Sequence, residues 1–390
     1  MLHLFQKKII KDETSVIFCI ESGEIISAIV KFETGKLPHV LFVHRMSIPV
    51  HNELDRSHLV PRMLVVLKRS AELIMQEGLV HIQTMKEDIN LKYTHVFLGV
   101  PWYLSKTTTH VFTDTTSFVL TPEILEQQSE KLFDQVLVNG IHIEKKVVSI
   151  KANGYIIKDP IGRRVSSLEY KGFVSVVEED LYKQLTETIS IFLPNFEIFV
   201  HTYSLSTFSV MSEYIKEKDY ILILPEAHVI EMIHISNGSI ESSVSVPYGK
   251  QYILELIMKR FDCSKTEAYS FLKLYRTNGL TDQKKSELLK LFAEAQHVLK
   301  ELLGQAFQHL NKNILLPNTV IFADNSFETH LLAKWFLSEE YINHTFTTDG
   351  FKGLFFTHKD LEQFVTYEET VHNSSLETVL ATSVLYIQML

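Results

Sequence analysis

The sequence predicts an α/β protein made of two copies of one unit, with a small α+β module inserted in the first. Two observations carry this. A strand–strand–strand–helix outline within residues 1–91 recurs within 217–374, and the stretch between them, 92–173, has a different rhythm of strands around one helix. Residues 174–216 complete the first unit, and 375–390 form a closing helix.

In the first copy, residues 15–20, 24–32 and 39–46 are rich in Val, Ile and Phe and read as strands. Ser22-Gly23 and Gly35 to Pro38 supply the turns between them. A helix follows, with Pro61 near its start and Met63, Val66, Leu67, Ser70 and Ile74 on one face; Gly78 is expected to end it. The insertion then offers an apolar strand at 95–101, a helix opened by Thr121-Pro122 and running to about 138, and strands at 143–150, 154–158 and 163–177. A helix near 178–191, an extended segment near 197–201 and a helix near 204–215 close the first unit.

The second copy has strands at 220–224, 229–236 and 239–246, with Asn237-Gly238 as a two-residue hairpin turn. A helix starts near 249. Residues 281–311 carry Leu288, Phe292, Ala295, Leu299, Leu302 and Leu310 at helical spacing, before a strand at 318–322 and a helix at 327–338. The last stretch, 374–390, is almost uncharged, as a helix packed into a core would be.

Composition narrows the function classes. The chain has 390 residues, 45% apolar and 22% charged, enough for two or three cores. A net charge of −9 gives no footprint for nucleic acid. Cys19 and Cys263 stand far apart and make neither a disulfide framework nor a zinc pattern, which fits a reducing, cytoplasmic setting. The first fourteen residues lack the apolar core of a signal peptide, and no run reaches the length of a spanning helix. A role at the inner face of a membrane therefore requires a partner.

Four segments carry a family resemblance. They are Val96–Phe112 opening the insertion, Gly154–Val177 with its Asp159-Pro160-Ile161-Gly162 turn, Asn237–Lys273 with Pro-x-Gly at Pro247–Gly249 entering a helix, and the closing ETVLATSVLYIQML. In this order they resemble the bacterial actin homologue FtsA and its relative PilM. The resemblance implies the actin-like ATPase fold: two RNase H-like domains around a cleft, with an SHS2-type module (1C) inserted in the first.

It also implies where a nucleotide would lie. Such proteins hold the phosphates between two hairpins of Asp-x-Gly type, where glycines admit backbone N–H groups and carboxylates orient magnesium-bound water. In the first hairpin Ile20 stands at the expected aspartate, and alternation turns Glu21 to the opposite face; Ser22 and Gly23 follow. In the second, Leu224 replaces the aspartate, and Glu226, Ala227 and His228 occupy the glycine-rich turn ahead of Gly249. A carboxylate at Glu226, about 4 Å from phosphate, costs about 4 kcal/mol at an effective dielectric of 20. Beside the adenosine, a Gly-Gly pair is replaced by Ala323 and Asp324, with Asn325 next. These losses predict a pseudo-ATPase with no cofactor, ATP with magnesium being the alternative.

Eighteen histidines, among them His39, His51 and His110, show no paired ligand spacing, and no metal site is expected. No nucleophile-elbow pattern is present. Asp159 and Gly162 read as turn formers, with Arg163 and Arg164 beside them as candidates to grip an acidic partner. By resemblance the function is an FtsA-like division scaffold, whose partner would be an FtsZ-like tubulin homologue. The alternatives are a PilM-like pilus or secretion component, which would bind the short cytosolic tail of an inner-membrane protein, and an active polymerising ATPase. Self-association is compatible with each.

Overall fold

The computed structural model describes residues 12–49, 56–84, 91–134, 139–157, 159–310, 315–345, 347–369, 371 and 377–390. The N-terminal stretch 1–11, His51, the expected helix end at 135–138 and residues 374–376 lie outside these.

The first sheet begins with three antiparallel strands, β1 (Glu13–Ile20), β2 (Glu24–Phe32) and β3 (His39–Ser47). Helix α1 (Arg56–Leu73) passes through a π-helical turn, Ile74–Gly78, into α2 (Leu79–Thr84). Gly78 thus does not end the helix. It faces the sheet, where a Cβ would lie 2.9 Å from Ile29 Cδ1 and 3.1 Å from Phe42 Cδ1, so close packing requires the glycine. Strand β4 (Leu91–Leu98) then joins β1 in parallel.

The inserted module follows: β5 (Leu104–Val119), α3 (Pro122–Asp134), β6 (Ile141–Ala152), β7 (Tyr155–Ile156) and β8 (Arg164–Val177). Its four-stranded sheet has the order β5-β8-β6-β7, with α3 on one face packing Leu125 and Leu132 against Ile150, Leu168 and Tyr170. The expected boundaries 92–173 therefore shift. β4 is a buried apolar run that belongs to the first sheet, and β8 continues the module's sheet to Val177.

After α4 (Glu179–Ser190), β9 (Glu197–Thr202) completes the first sheet beside β4, and α5 (Tyr203–Tyr214) follows. The second unit repeats the plan. β10 (Tyr220–Pro225), β11 (Ile230–Ser236) and β12 (Ser239–Val246) form an antiparallel meander. α6 (Lys250–Phe261), α7 (Lys265–Arg276, opened by a Ser264–Glu267 capping box) and α8 (Asp282–Leu310) lead to β13 (Thr319–Phe322), parallel to β10. α9 (Phe327–Phe336) and β14 (Lys352–Phe355) finish this sheet. The chain closes with α10 (His358–Leu361), β15 (Thr366–Tyr367) and α11 (Thr378–Met389). β15 crosses back to pair with β3, so the second unit ends before residue 366 rather than at 374.

The strand orders show the duplication: β15-β3-β2-β1-β4-β9 in one sheet and β12-β11-β10-β13-β14 in the other. Each contains a three-stranded meander extended by two parallel strands, and β15 adds a sixth strand to the first. Helices α5 and α11 lie between the sheets in a shared core with Ile17, Cys19, Leu222 and Leu224, while α1 and α4 cover the far side of one sheet and α6, α8 and α9 that of the other. Helices sandwiched between two apolar sheets must be apolar all round, which explains the uncharged closing segment: Thr378 to Ile387 are all buried. No helix of the described residues is long and apolar enough to cross a membrane.

Candidate functional site

The two meanders turn toward each other at their first hairpins, and these turns are duplicates in backbone detail. β1 ends at Ile20, paired with Ile25, and Glu21 N–H donates to Glu24 O at 3.0 Å. β10 ends at Pro225, paired with Ile230, and Glu226 N–H donates to Val229 O at 2.9 Å. Glu21-Ser22-Gly23 and Glu226-Ala227-His228 therefore occupy equivalent positions, with a carboxylate opening each turn.

Ile20 and Leu224, at the two positions where aspartates were expected, are the last and second-last residues of their strands, and both are buried in cores, Ile20 under α1 and Leu224 between the sheets. One expectation is corrected. Glu21 does not point to the opposite face. The strand's alternation stops at Ile20, and in the turn the Glu21 side chain lines the gap between the domains with Lys250 and Asp324.

Glu226, 1% exposed, reaches across that gap. Its Oε2 accepts from Ser22 N–H at 2.7 Å and its Oε1 from Val100 N–H at 2.9 Å. Gly99 makes room, since a Cβ there would lie 2.3 Å from Glu226 Oε1. Ser22 Oγ accepts from His228 N–H at 3.1 Å. A Cβ on Gly23 would meet Ala227 Cβ at 2.2 Å, and one on Gly249 would meet Ala227 O at 2.3 Å. The hairpins thus touch, and the N–H groups of Ser22 and Val100 at their junction are bonded to a carboxylate of the protein itself.

The electrostatics follow from burial. Burial pushes the Glu226 carboxyl up to about 8, with Glu231 adding and the two backbone N–H bonds opposing. Burial likewise raises Glu21 well above the usual carboxylate range, Lys250 opposing and Glu24 and Glu377 adding. Burial works against the charge of Lys250, but Asp324, Glu21 and Glu377 outweigh it and hold its ammonium above its ordinary range. Asp324 is also buried, yet Lys250 at 3.4 Å and the hydroxyls of Ser326 and Thr329 keep it ionised below its usual value. Asn325 turns away to His330 Nε2, at 2.8 Å. His228 is held down to about 4 by burial and by Lys265, so its ring is neutral beside Glu255, 3.8 Å away.

What remains between Glu21, Tyr203, Lys250, Ala323 and Asp324 is a cavity of about 10 Å³, room for about one water. Beyond the hairpins the cleft widens to about 740 Å³ between Ser47, Ile48 and Pro49 on one wall and Gln251, Glu255 and Tyr269 on the other. Glu21, Glu24 and Glu377 are close enough together to face one cation, but Arg45 already bridges Glu377 at 2.5 Å and Glu24 at 3.6 Å.

The candidates on the inserted module lie apart from the cleft. Gly162 has φ +81°, with Arg163 N–H donating to Pro160 O at 3.2 Å: a tight turn that requires the glycine. Arg163 Nε donates to Asp159 O at 2.7 Å and Arg164 to Ser117 Oγ at 3.3 Å, so both arginines brace the module's own tip. Sequence reasoning missed Lys250, Arg45 and the Gly99-Val100 amide. The last could have been sought as the glycine ending a buried strand.

Duplicated sheets, paired hairpins and a cleft between them define the actin-like ATPase fold. The comparisons agree. Over 97% of both chains the structure resembles the solved PilM-PilN type IV pilus biogenesis complex, with a TM-score of 0.57 at 10% identity. Ethanolamine utilization protein EutJ from Carboxydothermus hydrogenoformans is also similar, with a TM-score of 0.43 at 10% identity over 98% of this chain and 91% of that one. A Bacteroides thetaiotaomicron protein with actin-like ATPase fold and unknown function gives 0.35 at 8% identity over 96% of both. No family model and no curated protein matches the chain. The chain has the actin-like ATPase fold in a divergent form, and its likeness of fold to the PilM-PilN structure runs over 97% of its length.

Proposed function

We propose that this chain is a PilM-like, actin-fold scaffold that works by binding proteins and not by hydrolysing ATP. The observation that carries the reading is Glu226, whose carboxylate takes both amides, Ser22 and Val100, at the junction where phosphates would sit. Bound nucleotide would have to displace a buried side chain, separate hairpins in contact and open a cavity with room for about one water. An interdomain cleft bridged at its hairpins suits a rigid adaptor. The partner class follows from the likeness to PilM: a short cytosolic segment of a membrane protein, which would hold the chain at the inner face of the membrane. The FtsA-like division role rests on the sequence segments alone, and the whole-chain likeness to PilM favours pilus or secretion assembly.

The test is thermal unfolding with and without millimolar Mg-ATP. A ligand at a hundred times its Kd adds about 2.7 kcal/mol, a shift of several degrees. No shift is expected for the wild type, and a nucleotide-specific rise would overturn the reading. The partner class is tested by titrating the chain with the cytosolic tail of a membrane protein encoded beside it; absence of binding across such tails would remove the PilM-like assignment.

A further inference from the structure

The inserted module leaves one long edge open. Its sheet ends on β5, Leu104–Val119, and each face of that strand is covered over part of its length. On one face Phe112 packs on the module core and His110 Nε2 lies 3.1 Å from Gln128 Oε1 of α3. On the other, β12 crosses over the strand's start: Ser105 Oγ lies 3.1 Å from Ser243 Oγ, and Lys171 of β8, the neighbour of Thr109, pairs with Glu241. The outer edge is different. Thr109, Val111 and Thr113 to Ser117 are exposed, and among the described residues no strand pairs with that side.

Exposed edges are usually blunted by proline, bulges or several charges, because their unpaired N–H and C=O groups template another strand. From Leu104 to Thr113 β5 has no proline and regular pairing, its register shifting only after Thr113. It is rich in threonine, valine and phenylalanine, good strand formers. It holds one basic and one acidic residue, Lys106 and Asp114.

We propose that β5 pairs antiparallel with β5 of a second copy of this chain, about a two-fold axis at His110, making one continuous eight-stranded sheet. This register sets Lys106 opposite Asp114, Thr107 opposite Thr113, Thr108 opposite Phe112 and Thr109 opposite Val111, each pair occurring twice. Registers centred on residue 106 or 114 would instead set Lys106 against Lys106 or Asp114 against Asp114, and other two-fold registers leave both charges without a cross-strand partner of opposite sign, so charge favours this pairing. Lys106 is exposed and makes no ion pair among the described residues, and Asp114 uses only Oδ1 for its bonds to Thr115 and Thr116. The contact is isologous and closes at two copies, so it makes a dimer and not a filament. It is independent of the nucleotide reading.

The experiment is sedimentation velocity of the full chain from low to high micromolar concentration, with Lys106→Asp, Asp114→Lys and the double swap. A monomer–dimer equilibrium is expected. Each single reversal turns two attractive pairs repulsive and weakens dimerisation about tenfold, and the double swap restores it. Circular dichroism shows that the variants, changed only at exposed side chains, remain folded. A wild type that stays monomeric, a dimer indifferent to either reversal, or a double swap that fails to recover would each overturn the proposal.

Discussion

Replacing Glu226 with alanine probes the closed cleft most directly. The substitution strands two buried amides, Ser22 N–H and Val100 N–H, now bonded at 2.7 and 2.9 Å. Each unsatisfied buried donor costs about 1–3 kcal/mol. Part is returned, because the mutation also removes a carboxyl that burial and Glu231 disfavour. The net loss is about 3 kcal/mol. For 390 residues the unfolding entropy is about 0.8 kcal/mol/K, so the midpoint falls by about 4 °C. The assay is differential scanning calorimetry in chloride and then in acetate. Acetate can enter the vacated site and bond both amides; at ten times its Kd it restores about 1.4 kcal/mol, or about 2 °C, beyond its effect on wild type. A variant as stable as wild type and indifferent to acetate would refute the bridging role of Glu226.

Other outcomes follow from the same geometry. Burial raises Glu144 to about 6, Glu231 to about 7 and Glu226 to about 8, so the folded chain keeps protons that the unfolded chain releases above its ordinary value of 4.5. Their stabilisation is complete below that value and is lost as pH rises through 6 to 8. His201, His228 and His234, held below 6.5 by burial, act oppositely but only below 6.5. Melting temperature is therefore expected to fall between pH 6.5 and 8, with a shallower slope in Glu226→Gln; a flat profile would contradict this. Gly249→Ala forces a Cβ to 2.3 Å from Ala227 O and should destabilise by about 2 kcal/mol, whereas Gly304→Ala, in α8 with nothing within 4 Å, should stabilise by about 0.5–1 kcal/mol. Urea denaturation of the two variants checks both signs.

By itself the sequence determined what local chemistry can specify. Apolar runs bounded by Ser22-Gly23 and Asn237-Gly238 marked β1, β2, β11 and β12, and the uncharged stretch near the end of the chain marked a buried helix. Those signals are legible because strand period, turn residues and burial are written within a few residues of one another. β14 and β15 carried no such signal: each is at most four residues long and owes its pairing to distant strands. At the candidate site, alternation counted from Ile20 aimed Glu21 the wrong way, because the turn had already begun and strand period no longer applied. Only the tertiary structure joined Glu226 to Ser22, 204 residues away, and to Val100, 126 away. A carboxylate in a turn looks the same in sequence whether it faces solvent, a metal or a backbone amide. What occupies the cleft was decided by how closely the two hairpins approach, and that distance is a property of the packed domains.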